Sequence, residues 1–166
     1  MLLAVCFSLL CAHDGFSARF FGFAIASFLL VILAGIDWRS HLLPDVLTYP
    51  LLGLGLGLAW AGIGVTPAAA IGGAVAGFVF LYVCAAVFKR LGGREAVGRG
   101  DMKLLAALGA WLGAGSLVWV LALACVAGVV VAMWRQRTFR PHGDYPFGSF
   151  LAGAALCAFC LAPWLR

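Results

Sequence analysis

The sequence predicts an all-α membrane protein: a polytopic transmembrane helical bundle with six crossings, preceded by a short N-terminal apolar segment. Three observations predict it. Hydrophobic residues make up 65% of the 166 residues, charged residues only 10%, and the mean hydropathy is +1.11. Soluble domains carry roughly 25% charged residues, so this chain lacks the charge to cover itself in water. Its apolar residues fall into runs close to the roughly 17 to 25 that one bilayer span requires. Its basic residues gather in the loops between alternate runs. The same numbers exclude a disordered tail, a coiled coil and a secreted disulfide scaffold.

Residues 1–19 contain Leu2 to Ala12, an apolar stretch only about three turns long. A signal peptide there would open with basic residues, and Met1-Leu2-Leu3 offers none, so the stretch reads as a truncated or partly inserted helix. Residues 20–166 read as one membrane domain. Phe20 to Ile36 is the first span and ends at Asp37-Trp38-Arg39. Leu47 to Gly64 follows, with a turn at Thr66-Pro67, and Ala68 to Phe88 returns to Lys89-Arg90. Met102 to Gly113 is a half-length or tilted crossing closed by Gly113-Ala114-Gly115. Leu117 to Trp134 and Phe147 to Pro163 complete the set.

With six crossings, the loops 37–46, 89–103 and 135–146 share one side. That side holds nine of the eleven basic residues, and only Arg19 and Arg166 lie opposite. Basic loops stay cytoplasmic, so this side is expected to face the cytoplasm. The bias accounts for the net charge of +5 and directs it at anionic membrane lipids; no nucleic-acid partner is expected. Trp38, Trp134 and Trp164 read as interfacial anchors. Gly53, Gly55, Gly57 and the Gly73-xxx-Gly77 pair read as places where helices approach closely. The six cysteines all lie in apolar runs and read as small packing residues.

Six acidic residues are few enough to weigh singly. Ionisable groups at membrane depth are costly and tend to be functional. Asp37 ends an apolar run, where a carboxylate meets the negative pole of its helix, so structure alone gives it little reason to be there. Asp101 ends Gly98-Arg99-Gly100-Asp101, ahead of the Met102–Gly113 helix. Asp101 reads as a helix N-cap, yet capping does not require glycines two apart in front of it. Asp45, after Pro44, reads as an N-cap, Glu95 as solvated, and Asp144 as a rival third carboxylate. An aspartate pair sharing one proton activates water, and Asp37 with Asp101 is the pair expected here. Asp37, beside a helix C-terminus, is expected to hold that proton, and Asp101, at an N-terminus, to act as the base. Lys103, two residues beyond Asp101, should point away from it towards headgroups or substrate. His41 reads as a solvated interfacial histidine.

Three stretches carry a resemblance to the type IV prepilin peptidases, GxGD-type intramembrane aspartyl proteases. Ile36 to Thr48 is similar to the family's aspartate segment ending in Leu-Pro-Asp. Gly98-Arg99-Gly100-Asp101-Met102-Lys103-Leu104-Leu105 is similar to its GxGD motif, and Pro146-Phe147-Gly148-Ser149 to its Pro-Phe-Gly segment. The three occur in family order. The resemblance implies that Asp37 and Asp101 are catalytic, with Asp45, Gly98, Gly100 and Lys103 as supporting motif positions. It implies type IV prepilin or pseudopilin substrates, cut after a glycine at the cytoplasmic face of a bacterial inner membrane. Longer members carry an N-terminal region with paired CxxC motifs and also methylate the new N-terminus. This sequence resembles the short form, and methyl transfer is not carried over. Cys157-Ala158-Phe159-Cys160 is a CxxC in letters only, within an apolar helix, and no metal or other cofactor is expected.

Two other readings use the same residues. In one, a non-enzymatic transporter or channel binds or relays ions at Asp37 and Asp101. In the other, a thiol carrier uses Cys157 and Cys160, although both lie within an apolar segment. Ser149 has no partnered histidine in a triad-like pattern, and nothing supports a serine nucleophile.

Overall fold

An unpaired backbone N–H or carbonyl in hydrocarbon costs several kcal/mol, so a chain this apolar is driven to close its hydrogen bonds within helices. The computed structural model describes residues 17–91, 98–136 and 146–161, and the regular structure among them is helical. The helices are α1 (Ala18–Ser40), α2 (Asp45–Trp60), α3 (Pro67–Arg90), α4 (Arg99–Gln136) and α5 (Phe147–Leu161). Three of them, α1, α3 and α4, are long and apolar enough to cross a membrane, while α2 and α5 are shorter apolar helices. The chain is thus a helical membrane protein. The segment expected at the N-terminus lies outside the described residues, as do Glu95 and Asp144.

The ends of the helices follow their sequence. Ser17 accepts a hydrogen bond from the Phe20 N–H to open α1, and Thr66 accepts one from Ala69 to open α3, with Pro67 in its first turn. Helix α2 stops at Trp60, four residues short of the expected Gly64, because residues 61–65 turn through Gly62 and Gly64 at positive φ.

Helix α4 is two arms. Gly113 breaks it at φ 75° and ψ 167°, a conformation that essentially only glycine adopts. A Cβ built on Gly77 of α3 would meet both the Leu105 carbonyl, at 2.7 Å, and a Leu117 methyl, at 3.2 Å. Residues twelve apart in one straight helix would be about 18 Å apart. The chain therefore folds back at Gly113, as the Gly113-Ala114-Gly115 reading expected, and both arms lie against α3.

The expected close approaches are found at Gly73 and Gly77, which face the carbonyls of Gly109 and Leu105 across the α3–α4 contact. Gly55 packs against Trp111, whereas Gly53 and Gly57 face open space. In an α-helix, residues two apart point in different directions, so one of those three positions faces a neighbour. Phe23 of α1, Trp111 of α4 and Phe159 of α5 meet with ring centroids 5.0–5.7 Å apart, and the Trp111 indole donates to the Leu51 carbonyl of α2 at 2.8 Å. Four helices are thereby joined at one level of the bundle. Cys84, Cys125 and Cys157 are free, as packing residues should be, but Cys160 is disulfide-bonded, which corrects the packing-only reading for that residue.

The backbone contact between α3 and the first arm of α4 leaves no room for a side chain. Gly109→Ala is expected to cost about 1–3 kcal/mol, seen as a lower Tm in detergent. Gly57→Ala, facing open space, should leave Tm unchanged or raise it.

Candidate active site

Helix α1 runs from the aromatic contact at Phe23 to its C-terminal end, while the first arm of α4 and helix α5 run the opposite way and begin at that end. Asp37 lies in the last turn of α1, and Asp101 in the first turn of α4. Both side chains are buried, at 4% and 7% exposure. The fold thus brings together two carboxylates separated by sixty-four positions in the chain.

Their proximity is read from Gly148, in the first turn of α5. A Cβ there would stand 2.9 Å from Asp101 Oδ1 and 3.1 Å from Asp37 Cγ. The two groups are therefore no more than about 6 Å apart, the sum of those distances. A residue with any side chain at position 148 would press on both. Gly148 is buried, and its missing Cβ allows the end of α5 to close over the pair.

Each carboxyl group has its own donors. Asp37 Oδ2 accepts from the Ser149 backbone N–H at 2.6 Å and from Ser149 Oγ at 2.9 Å. The same hydroxyl also lies 3.0 Å from the Ala34 carbonyl, so one serine ties α5 to α1. Asp101 reaches back to the backbone N–H of Gly98, and its own N–H bonds the Gly98 carbonyl at 3.1 Å. The return of the Asp101 side chain is one half of a capping box, since Gly98 has no side chain to supply the other. Gly98 precedes the helix and Asp101 is its third residue, which corrects the reading of Asp101 as the N-cap itself. The expected split of roles rested on each aspartate's own helix. The N-terminus of α5, from a third part of the chain, adds two donors to Asp37.

The supporting residues divide. Gly100 faces the Leu43 side chain, 2.7 Å from the place of its absent Cβ. Asp45 does not cap α2, since Pro44 occupies that position without a side-chain bond. Its carboxylate is held instead by Lys103, whose Nζ lies 2.7 Å from both oxygens and 5.2 Å from the centre of the Tyr49 ring. Lys103 points away from Asp101 as expected, but its partner is Asp45. His41 is exposed, as expected, and closes α1 in the left-handed region at φ 52°, with its N–H on the Asp37 carbonyl. Among the described residues no three His, Cys, Asp or Glu side chains converge as a metal-ligand set.

Sequence reasoning missed Ser149. In the sequence it offers only a hydroxyl without a histidine partner, whereas its place is beside Asp37 as a hydrogen-bond donor. The available signal was its position next to Gly148 in the Pro-Phe-Gly segment.

Residues 23–133 match the model of the type IV leader peptidase family, a stretch that includes both aspartates and the GxGD motif. The chain belongs to that family. Curated relatives named prepilin leader peptidase/N-methyltransferase include one from Burkholderia pseudomallei (strain K96243), 46% identical over 147 residues, covering 83% of this chain and 47% of the relative. One from Neisseria gonorrhoeae is 39% identical over 151 residues, covering 91% and 52%. One from Xanthomonas campestris pv. campestris is 38% identical over 158 residues, covering 92% and 55%. The chain thus spans about half the length of the curated relatives it matches. No solved structure matches it.

The convergence of Asp37 and Asp101 is testable without any assay of activity. In the Asp37→Cys/Asp101→Cys variant, a short bifunctional thiol reagent should join the two positions. Mass spectrometry of the digested protein should then show a cross-linked peptide pair that neither single variant yields.

Proposed function

We propose that this chain is a membrane aspartyl endopeptidase that cleaves the leader of type IV prepilins or pseudopilins, with Asp37 and Asp101 as its catalytic pair. The observation that carries the proposal is the burial of two carboxyl groups within about 6 Å of each other beneath Gly148. Membership in the leader peptidase family and the names of the relatives give the substrate class. Methyl transfer forms no part of the proposal.

In the proposed mechanism the pair holds one proton, because two buried carboxylates this close repel when both are charged. Ser149 stabilises charge on Asp37 with two donors, so Asp37 is assigned as the base and Asp101 as the proton-bearing acid. Asp37 takes a proton from water as the water oxygen attacks the scissile carbonyl carbon. Asp101 gives its proton to the carbonyl oxygen, forming a neutral tetrahedral diol. Collapse of the diol breaks the C–N bond, with a proton delivered to the departing nitrogen and one retained by the pair. The new acid and amine account for the elements of one water.

The six-crossing topology belongs to the same proposal, with the two arms of α4 counted separately. The positive-inside bias of loops 37–46, 89–103 and 135–146 supports a position for the pair at the cytoplasmic face of a bacterial inner membrane. A leader on the cytoplasmic side and an apolar helix in the bilayer would place the scissile bond at that depth. Bordering lipids are the other proposed partners.

The test incubates membranes containing the protein with a prepilin bearing a Gly-Phe junction and reads the products by mass spectrometry. Cleavage at one bond is expected. Asp37→Asn and Asp101→Asn should each reduce the rate by at least about 10²–10⁴-fold while the protein remains inserted. Ion flux without cleavage would overturn the proposal in favour of a transporter or channel. Ser149→Ala removes one of the two donors to Asp37 and should slow cleavage by roughly 10- to 100-fold, the worth of a hydrogen bond to a charged group.

A further inference from the structure

One side chain at the pair comes from neither a GxGD nor a Pro-Phe-Gly position, nor from a helix. Leu43 lies in the irregular stretch 42–44 between α1 and α2 and is half-buried. Its Cδ1 stands 2.8 Å from where a Gly148 Cβ would be, the same point that Asp101 Oδ1 and Asp37 Cγ approach at 2.9 and 3.1 Å. Its Cβ stands 2.7 Å from where a Gly100 Cβ would be. One isobutyl group is therefore wedged between two glycines, within about 6 Å of both carboxyl groups by those same distances.

The stretch that carries Leu43 is held at both ends. Before it, the His41 N–H bonds the Asp37 carbonyl at 2.9 Å. After it, Pro44 biases Leu43 towards extended backbone, and Asp45 is gripped by Lys103 from α4. A side chain on a stretch fixed in this way has little freedom to retreat when another group arrives.

We infer that Leu43 sets the size of the substrate residue that donates the scissile carbonyl, admitting one without a Cβ and disfavouring larger ones. The inference rests on the peptidase reading of the site. That residue's Cα is bonded directly to the carbonyl carbon, at about 1.5 Å, while the Cα across the peptide bond is one bond further away. Its side chain is thus the one brought nearest to the two carboxyl groups when the carbonyl sits between them. Leu43 Cδ1 borders the point that both carboxyl groups approach, so an added carbon there must displace that methyl or move the carbonyl out of reach.

The test uses two prepilins that differ only in Gly or Ala before the cut. Cleavage rates are measured for wild type, Leu43→Val and Leu43→Ala at matched amounts of inserted protein. Wild type should cut the Ala substrate at least about tenfold more slowly than the Gly substrate, in the range that one carbon decides in a packed site. Leu43→Ala should narrow that ratio by about tenfold, and Leu43→Val by less, following side-chain size. An unchanged ratio in both variants, or equal losses on both substrates, would show that Leu43 only packs and would overturn the inference. So would a wild type that cuts both substrates equally. If Leu43→Ala fails to insert, the ratio for Leu43→Val decides in the same way. If wild type cuts neither substrate, the peptidase reading itself fails and the inference goes with it.

Discussion

Two carboxyl groups within about 6 Å of one another repel by roughly 3 kcal/mol when both are ionised, at an effective dielectric near 20. Much of the local structure around Asp37 and Asp101 answers that constraint. Donors are placed against each group, water is largely kept out, and the backbone that closes the space carries no side chain at Gly148. The distances bring the two acids close enough to share a proton, directly or through a water, as the proposed hydrolysis by an aspartate pair requires.

The donors come from helix ends. Helix α1 arrives with its C-terminus, where a carboxylate is unfavourable by a few tenths to about 1 kcal/mol. The first turn of α5 is set against that same carboxylate, and its backbone N–H and the Ser149 hydroxyl face Asp37 Oδ2. The positive pole of one helix thus offsets the negative pole of another. This is possible because α1 is antiparallel to both α5 and the first arm of α4. The Phe23–Trp111–Phe159 contact joins the three about 15–20 Å away, by the rise per residue of a helix. An error of one turn in any of the three at that level would shift its member of the site by about 5 Å.

The reversal at Gly113 has a functional consequence as well as a topological one. It makes the first arm of α4 short, so that Asp101 and Trp111 are both held by neighbours within one half-length helix. The second arm returns along α3 and leaves the Asp101 turn flanked by α2 and α5. Lys103 then meets Asp45 and steadies the stretch that carries Leu43. The motif residues form two groups with different work: Asp37, Asp101, Gly148 and Ser149 make the acid pair and its lining. Asp45, Lys103, Gly100 and Leu43 shape its edge.

Periodicity and cost made much of this protein readable before folding. Long apolar runs have few alternatives to helices in a bilayer, so α1, α3, the two arms of α4 and the break at Gly113 were legible in order. Acidic residues at the ends of such runs are expensive enough to be noticed one by one, and Asp37 and Asp101 stood out for that reason. Contacts between distant segments carry no such mark. Nothing local in Ser149 says that it faces Asp37, nothing in Asp45 that it faces Lys103 rather than its own helix, and nothing in Leu43 that it lies against two glycines. The residue types and their spacing determined that this chain forms membrane helices bearing two costly acids. Only the tertiary structure decided what surrounds those acids, because that depends on which helix ends meet, and helix ends meet through packing between segments that the linear order does not juxtapose.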